Sequence, residues 1–191
     1  MKPVTPPELW PLPVYEGVRD EFRRTVIEAK KHRRISVGPF MTFVFENRLT
    51  VKFQVQEILR AEKTSDPAHV NEELDGFNTM LPKPSGLSAT LLLELVGPEP
   101  EVKAELAQLV GLSSCVHLDV GGSKVPAHFD EGNDDGRRIS AVQYVQFALG
   151  AAAASFATAE VALVVEHGNY AHRVTLSPEQ RASLAADLVA G

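Results

Sequence analysis

An alternating segment around two adjacent glycines constrains most strongly what this chain can fold into. Apolar side chains occupy every second position on both sides of Gly121-Gly122, which is the pattern of two strands that each bury one face. The apolar positions are Val116, Leu118, Val120, Val125, Ala127 and Phe129. A Gly-Gly pair favours a tight hairpin turn. The segment therefore predicts a β-hairpin with one apolar and one polar face, and an antiparallel sheet around it.

Further strands and helices are predicted from residue composition and hydrophobic spacing. The other predicted strands are 40–45, 49–59, 87–96, 139–149, 161–166 and 170–176, all rich in β-branched or apolar residues. The first two of these are expected to form a hairpin around the turn Glu46-Asn47-Arg48. Amphipathic helices are predicted over 15–34, 67–81, 98–110 and from Pro178 onward.

The order of these elements predicts an α+β fold. About eight strands, mostly joined by hairpins, favour a largely antiparallel sheet that is strongly curved or barrel-like, covered by about four helices. The hydrophobic fraction of 44% is sufficient for a core without disulfides. We expect a single domain over 15–191 after an N-terminal arm over 1–14, whose five prolines favour an extended conformation. The arm is expected to pack little and is the candidate segment for formation of a homo-oligomer.

Charge, hydropathy and cysteine content argue against several classes of protein. The net charge of −6 does not favour nucleic-acid binding. The apolar stretch 147–165 contains many alanines and lacks a flanking basic cluster, so we expect the end of one strand and the start of another, not a membrane span. A single cysteine, Cys115, and the absence of a signal-peptide pattern predict a cytoplasmic protein.

The polar face of the Gly-Gly hairpin carries residue types that bind metals. His117 and Asp119 lie on its first strand, and His128 and Asp130 lie on its second. A two-residue loop would place Cys115 opposite His128, whereas a four-residue loop would place His117 there. Either register brings imidazoles and carboxylates close together, which suits zinc, manganese or iron. A metal-dependent enzyme with a transition-metal cofactor on this face is therefore one hypothesis, and a solvated strand face is the structural alternative.

Two polar residues interrupt the apolar faces of their predicted strands. Glu57 follows Val55 on one face, and Gln143 shares a face with Val145. A buried polar group without a partner costs about 1 to 3 kcal/mol, so such residues favour a functional explanation. Together with Tyr144 they form a candidate ligand-binding site, in which Glu57 is a general base or an anchor for a cationic ligand. The alternative is that Glu57 reaches solvent or pairs with an arginine.

Several stretches, taken together, resemble a known family. They are 15–34 leading to Ser36-Val37-Gly38, Phe45-Glu46-Asn47, Gln54-Val55-Gln56-Glu57, 87–91, 139–145 and the turn from His167 to Tyr170. In this order and spacing the chain resembles the bacterial family labelled domain of unknown function 3501, from about Tyr15 to the C-terminus. The resemblance implies no established activity. Members are often encoded beside rubrerythrin-like and iron–sulfur oxidoreductase proteins, which implies redox or peroxide-defence partners.

The sequence as a whole favours an accessory or small-ligand-binding protein, which the resemblance links to a redox system. No nucleophile–base pair and no glycine-rich phosphate loop is recognisable, so the pattern does not identify an enzyme. The metal-dependent enzyme built on the hairpin face is kept as the alternative.

Overall fold

Eight antiparallel strands form one curved sheet in the computed structural model, which describes residues 1–189. The strands are β1 (Arg34–Val37), β2 (Met41–Phe45), β3 (Gly86–Leu93), β4 (Val116–Val120), β5 (Ser123–Phe129), β6 (Val142–Ala148), β7 (Val161–His167) and β8 (Tyr170–Thr175). Their order in the sheet is β1-β2-β3-β6-β5-β4-β7-β8. At the two ends of this order, the Tyr170 hydroxyl donates to the Val37 carbonyl at 2.6 Å. The sheet therefore curls into a nearly closed barrel.

Within residues 1–189, five α-helices accompany the sheet, one more than the sequence predicts. They are α1 (Leu12–Lys30), α2 (Arg48–Glu62), α3 (Pro67–Asn78), α4 (Glu99–Ala107) and α5 (Pro178–Val189). Helices α1, α2 and α3 pack against one another in sequence order. Within residues 1–189, no helix combines the length and the hydropathy that a membrane crossing requires.

Two apolar clusters stabilise this arrangement. The larger one fills the barrel, because alternate residues of each strand point inward. Among its fully buried members are Ile35, Phe43, Leu91, Leu118, Phe147 and Leu163. The smaller cluster lies beneath α2 and α3 and consists of Val4, Val51, Val55, Leu59, Leu74, Met80 and Leu81.

The strand predicted over 49–59 is wrong, and so is the hairpin around Glu46-Asn47-Arg48. This segment is helix α2, and its N-terminus forms a capping box: the Asn47 side chain accepts from the Leu49 and Thr50 amides, and the Thr50 hydroxyl accepts from the Asn47 amide. The eighth strand is instead β1, of which the predicted helix over 15–34 covers only Arg34, while 35–37 were assigned to no element. The predicted α+β class and the curved antiparallel sheet are confirmed.

The Gly-Gly hairpin is confirmed, and its register is that of the two-residue loop. Val120 pairs with Ser123 and Leu118 pairs with Val125, so the four-residue alternative is wrong. The apolar stretch 147–165 also follows expectation, because β6 ends at Ala148, a short 3-10 helix spans Gly150–Ala154, and β7 begins at Val161.

The N-terminal arm packs more closely than expected. Val4 is 2% exposed, and its backbone amide and carbonyl bind the Asn78 side chain at 2.8 and 3.0 Å. The backbone of Trp10 is held in the same way by the fully buried side chain of Gln56, with both distances at 3.0 Å. Helix α1 already begins at Leu12. The boundary between an arm over 1–14 and a domain over 15–191 stays a prediction.

Candidate functional site

A groove of about 590 Å³ lies between the end of α1, helix α2 and the outer face of strands β1 to β3. Its volume is in the range typical of small-molecule sites, which is about 300 to 1,000 Å³. Strand alternation explains its floor, since Phe43 and Phe45 point into the barrel while Val44 and Glu46 point outward. The lining residues are Ile27, Lys30, Lys31, Arg34, Ser36, Val44, Glu46, Gln54, Thr90 and Leu92.

Glu46 is the acidic residue of the groove and is only 3% exposed. One carboxylate oxygen, Oε1, accepts from the Thr90 hydroxyl at 2.8 Å, and the other, Oε2, accepts from Gln54 Nε2 at 3.2 Å. Within residues 1–189, no lysine, arginine or histidine forms a salt bridge with this carboxylate. A carboxylate offers about four acceptor positions, so two neutral donors leave it able to accept more hydrogen bonds.

The backbone around Glu46 is held by a buried arginine. Arg33 is 2% exposed and donates to the Phe45 carbonyl at 2.8 Å and to the Glu46 carbonyl at 3.0 Å. It also forms a buried ion pair with Asp187 of α5. Burial raises the pKa of Asp187 above its usual value, although the charge of Arg33 opposes this shift. Helix α5 therefore fixes the end of β2, where Glu46 lies.

Three cationic side chains lie at the mouth of the groove, and two of them are paired with acids. The Lys31 ammonium pairs with Glu28 at 2.7 Å, and Arg34 pairs with Glu94. Hydrogen bonds from the Thr42 hydroxyl and from Arg34 hold the pKa of Glu94 below its usual value. Lys30 is half-buried and forms no salt bridge with any residue in the described part of the chain.

An apolar shelf continues the groove onto strand β6. On the outer face, Thr90 pairs with Tyr144, and Leu92 pairs with Val142. Tyr144 is 38% exposed and Val142 is 45% exposed, which is unusual for large apolar side chains that lie side by side. Tyr144, which the sequence predicts as a ligand-binding residue, therefore lies directly beside the groove.

The other two predicted ligand-binding residues lie elsewhere. Glu57 faces α1 and accepts from the Tyr15 hydroxyl at 2.7 Å and from Arg19 Nε and Nη2 at 2.8 and 2.7 Å. Gln143 is 2% exposed and points into the barrel, where it donates to the Ser140 carbonyl at 3.0 Å. Neighbouring residues of a strand point to opposite faces, so Gln143 and Tyr144 are on different sides of the sheet. The structure does not bring Glu57, Gln143 and Tyr144 together.

The Glu57 contacts are those of a structural ion pair. The hydrogen bonds from Arg19 hold the pKa of Glu57 below its usual value, and that from Tyr15 adds to this effect. Burial, together with the hydrogen bond to Glu57, raises the pKa of Tyr15. The arginine partner expected as the structural alternative for Glu57 is therefore present, and it joins α1 to α2.

The polar face of the Gly-Gly hairpin forms ion pairs with residues of β7 and β8. Asp119 accepts from Arg173 at 2.9 Å and from the Gly122 amide at 2.8 Å. His117 is 6% exposed, and burial lowers its pKa. Its Nδ1 atom is 3.8 Å from a Glu166 carboxylate oxygen, which also accepts from Lys124 at 2.8 Å.

The predicted metal ligands do not meet in one cluster. His128 pairs with Gln146 of β6, on the side of β5 away from β4, and Asp130 lies beyond the end of β5. In the described part of the chain, the one group of three side chains close enough to share a metal ion is Glu62, His69 and Glu73. The geometry therefore does not favour a metal bound by His117, Asp119, His128 and Asp130.

The Glu62, His69 and Glu73 group is a surface cluster in which His69 pairs with Glu62. His69 Nε2 is 2.6 Å from a Glu62 carboxylate oxygen and 3.8 Å from one of Glu73. The hydrogen bond to Glu62 raises the pKa of His69. Because a carboxylate only accepts hydrogen bonds, His69 Nε2 is the donor to Glu62.

Sequence reasoning missed Glu46, Gln54 and Thr90 as site residues. It predicts that Glu46 lies in a turn, although this residue continues the outward series of Thr42 and Val44. One signal was present in the sequence, since all seven polar lining residues fall within the stretches that carry the family resemblance. They are Lys30, Lys31, Arg34, Ser36, Glu46, Gln54 and Thr90.

Comparison with known proteins identifies the family. A family model described as protein of unknown function (DUF3501) matches residues 3–188. The chain is similar to a novel protein of unknown function from Burkholderia pseudomallei K96243, known from a crystal structure. The two are 33% identical, the match covers 98% of this chain and 100% of that chain, and the TM-score is 0.91. Among curated proteins, none matches this chain. The chain therefore belongs to the DUF3501 family of proteins of unknown function.

Proposed function

We propose that this protein binds a small molecule that carries a protonated amine, and that Glu46 binds the amine in the groove. The observation that supports this is the 3% exposed carboxylate of Glu46, which lines a cavity and has only neutral donors around it. Buried charges in proteins are paired with an opposite charge or bind a metal, because an unpaired one is strongly destabilising. A ligand cation would supply the charge that the described residues do not.

An organic cation fits this groove better than a metal ion. Calcium and magnesium take six or more oxygen ligands, with several carboxylates or waters among them. Here one carboxylate shares the lining with three cationic side chains, Lys30, Lys31 and Arg34. The walls are partly apolar, with Ile27 and Leu92 among them. An ammonium group on an apolar body matches both the acid and the walls.

Thr90 and Gln54 orient the acid for this role. Each donates one hydrogen bond to a different oxygen of Glu46, so the plane of the carboxylate is fixed before a ligand arrives. Preorganisation of this kind reduces the entropy lost on binding. The buried contacts of Arg33 to the backbone hold the residue itself in place.

The test is binding of ω-aminohexanol, a simple alkylammonium probe, followed by amide chemical-shift NMR. We expect saturable shifts at Glu46, Gln54 and Thr90. The variant Glu46→Gln keeps the shape and removes the charge, and should weaken binding by at least about tenfold, because a hydrogen bond to a charged group contributes about 1.5 to 3 kcal/mol. The control is Glu21→Gln, an exposed acid of α1, which should bind like the parent. Equal affinities for Glu46→Gln and the parent would contradict the proposal.

A role in a redox system is a separate proposal that rests on the family resemblance. Rubrerythrin-like or iron–sulfur oxidoreductase partners, a cytoplasmic location and a homo-oligomer formed through the arm stay predictions. A pull-down from the native host with the intact chain tests the first of these. Recovery of neither class of protein would contradict it.

A further inference from the structure

The charges that line the groove are only partly paired. Lys31 and Arg34 form salt bridges with Glu28 and Glu94, whereas Lys30 and Glu46 form no salt bridge with any residue within 1–189. These two side chains carry opposite charges. An ammonium ligand without any negative charge would therefore match Glu46 but leave Lys30 without a partner.

The two signs of charge are separated within the groove. Glu46 is buried at the floor, while Lys31 and Arg34 are exposed at the mouth and Lys30 is half-buried. Arg34 pairs in register with Val44, which lies two residues from Glu46 on the same outward face. Lys30, the cation without a partner, forms no salt bridge with Glu46, so its ammonium lies more than 4.0 Å from the Glu46 carboxylate oxygens.

Lys30 is the cation best placed to bind an added anion. Lys31 and Arg34 already pair with Glu28 and Glu94. The described residues offer Lys30 no carboxylate partner, and its ammonium lies 6.0 Å from the centre of the Phe53 ring. Its half-buried position lowers the local dielectric constant, which strengthens its attraction for an anion compared with a fully solvated lysine.

We infer that the ligand is a zwitterion whose amine and anionic group are separated by an apolar chain. This inference rests on the proposed function, because it adds a second group to the ligand that Glu46 binds. The amine lies at Glu46, the apolar chain passes Val44 and Leu92, and a carboxylate or phosphate lies at Lys30. An α-amino acid, whose nitrogen and carboxyl carbon are only two covalent bonds apart, does not carry its two charges at the ends of such a chain.

The experiment compares probes that differ only at one end or in the position of the amine. The probes are ω-aminohexanoate, ω-aminohexyl phosphate, ω-aminohexanol and norleucine, and the last is the α-amino isomer of the first. Affinities are measured by amide chemical-shift NMR on the parent, on Lys30→Met and on the control Arg24→Met, an exposed cation of the same helix outside the groove. The spectrum of each variant also reports whether it is folded.

We expect ω-aminohexanoate or the phosphate to bind about fivefold more tightly than ω-aminohexanol, which is the upper range for a partly exposed ion pair. Whichever of the two binds more tightly identifies the anionic group. Lys30→Met should remove most of this gain and Arg24→Met none of it. Norleucine should bind no better than ω-aminohexanol.

Two results would overturn the inference and leave the proposed function intact. One is equal binding of ω-aminohexanoate, ω-aminohexyl phosphate and ω-aminohexanol with all three still weakened by Glu46→Gln. The other is a gain from the anionic group that Lys30→Met leaves unchanged. If none of the probes shifts the groove amides, the inference and the proposed function both fail.

Discussion

Arg33 binds the backbone carbonyl of Glu46 at 3.0 Å, while the carboxylate of the same residue is bound by Thr90 and Gln54. The buried cation thus positions Glu46, and its charge is directed to Asp187 of α5. Because Arg33 binds the backbone of Glu46 and pairs with Asp187, the Glu46 carboxylate is held rigidly and is still available to a ligand. The pair with Asp187 also makes the packing of the C-terminal helix part of the groove's construction.

We predict that Asp187→Ala destabilises the protein by about 3 to 5 kcal/mol, because it leaves the charge of Arg33 buried and unpaired. Urea unfolding measures the free energy. The matched control is Glu28→Ala, which breaks the exposed pair with Lys31 and should cost no more than about 1 kcal/mol. Similar losses for the two variants would show that the Arg33–Asp187 pair does not hold α5 to the barrel.

Glu57→Gln should affect stability and not the groove. The pKa of Glu57 is lowered, chiefly by Arg19, so the ion pair stabilises the protein above the ordinary carboxyl pKa of about 4.5 and this contribution is lost as the pH falls through the lowered folded-state value. We expect the variant to lose about 1 to 2 kcal/mol at pH 7, an estimate that allows for the partial exposure of both side chains.

The measurement is urea unfolding of parent and Glu57→Gln across the acid range. The difference between the two proteins should shrink as the pH falls below about 4.5. Binding of ω-aminohexanol should be unchanged, because Glu57 faces α1. Weaker binding by this variant, without loss of structure, would show that Glu57 contributes to ligand binding.

Gly38→Ala should destabilise the barrel closure. Gly38 has a φ of +73°, and a Cβ at this position would overlap the Tyr170 hydroxyl and the His172 ring. Gly111→Ala is the matched control, since Gly111 has a φ of +87° with nothing within 4 Å of an added Cβ. A left-handed backbone costs a side-chain-bearing residue about 1 to 2 kcal/mol, so both variants should lose this much and Gly38→Ala more. Stability is measured by thermal or urea unfolding. Equal losses of stability in the two variants would show that the Tyr170 side chain moves away from the added Cβ at little cost.

The barrel could be predicted from the sequence because its signal is local and repeated. The alternation on either side of Gly121-Gly122 predicts both the faces and the turn, although it leaves a two-residue and a four-residue register open until the structure decides for the first. The segment 49–59 was misassigned for an equally specific reason. Val51, Val55 and Leu59 fit a strand face and a helix face alike, since spacings of four residues satisfy both periods. The capping box formed by Asn47 and Thr50 begins a helix at this point, which the apolar spacing alone does not distinguish from a strand.

The candidate site could be predicted only in part, because it depends on which strands become neighbours. The sequence includes Tyr144 in the predicted site only together with Glu57 and Gln143, and its position beside the groove comes from the pairing of β6 with β3, through Thr90. The sequence does not distinguish Glu46 from a turn residue, because its place in the groove depends on how β2, β3 and α2 pack around it. In the same way, the arginine partner of Glu57 lies 38 residues away in the chain.

Tyr144 provides the last prediction, which tests the apolar shelf beside the groove. Tyr144→Ala should leave the free energy of unfolding within about 0.5 kcal/mol of the parent, because the side chain is 38% exposed and substitutions at the surface usually have small effects. It should nevertheless weaken binding of a phenylalkylamine about threefold, since an aromatic body that covers the tyrosine buries apolar area at about 25 cal/mol per Å². Binding of ω-aminohexanol, whose chain is thinner, should change less. The control is Val14→Ala, which changes an exposed apolar residue of α1 and should bind both probes like the parent. Equal binding of the phenylalkylamine by Tyr144→Ala and the parent would show that the groove ends at Thr90 and Leu92.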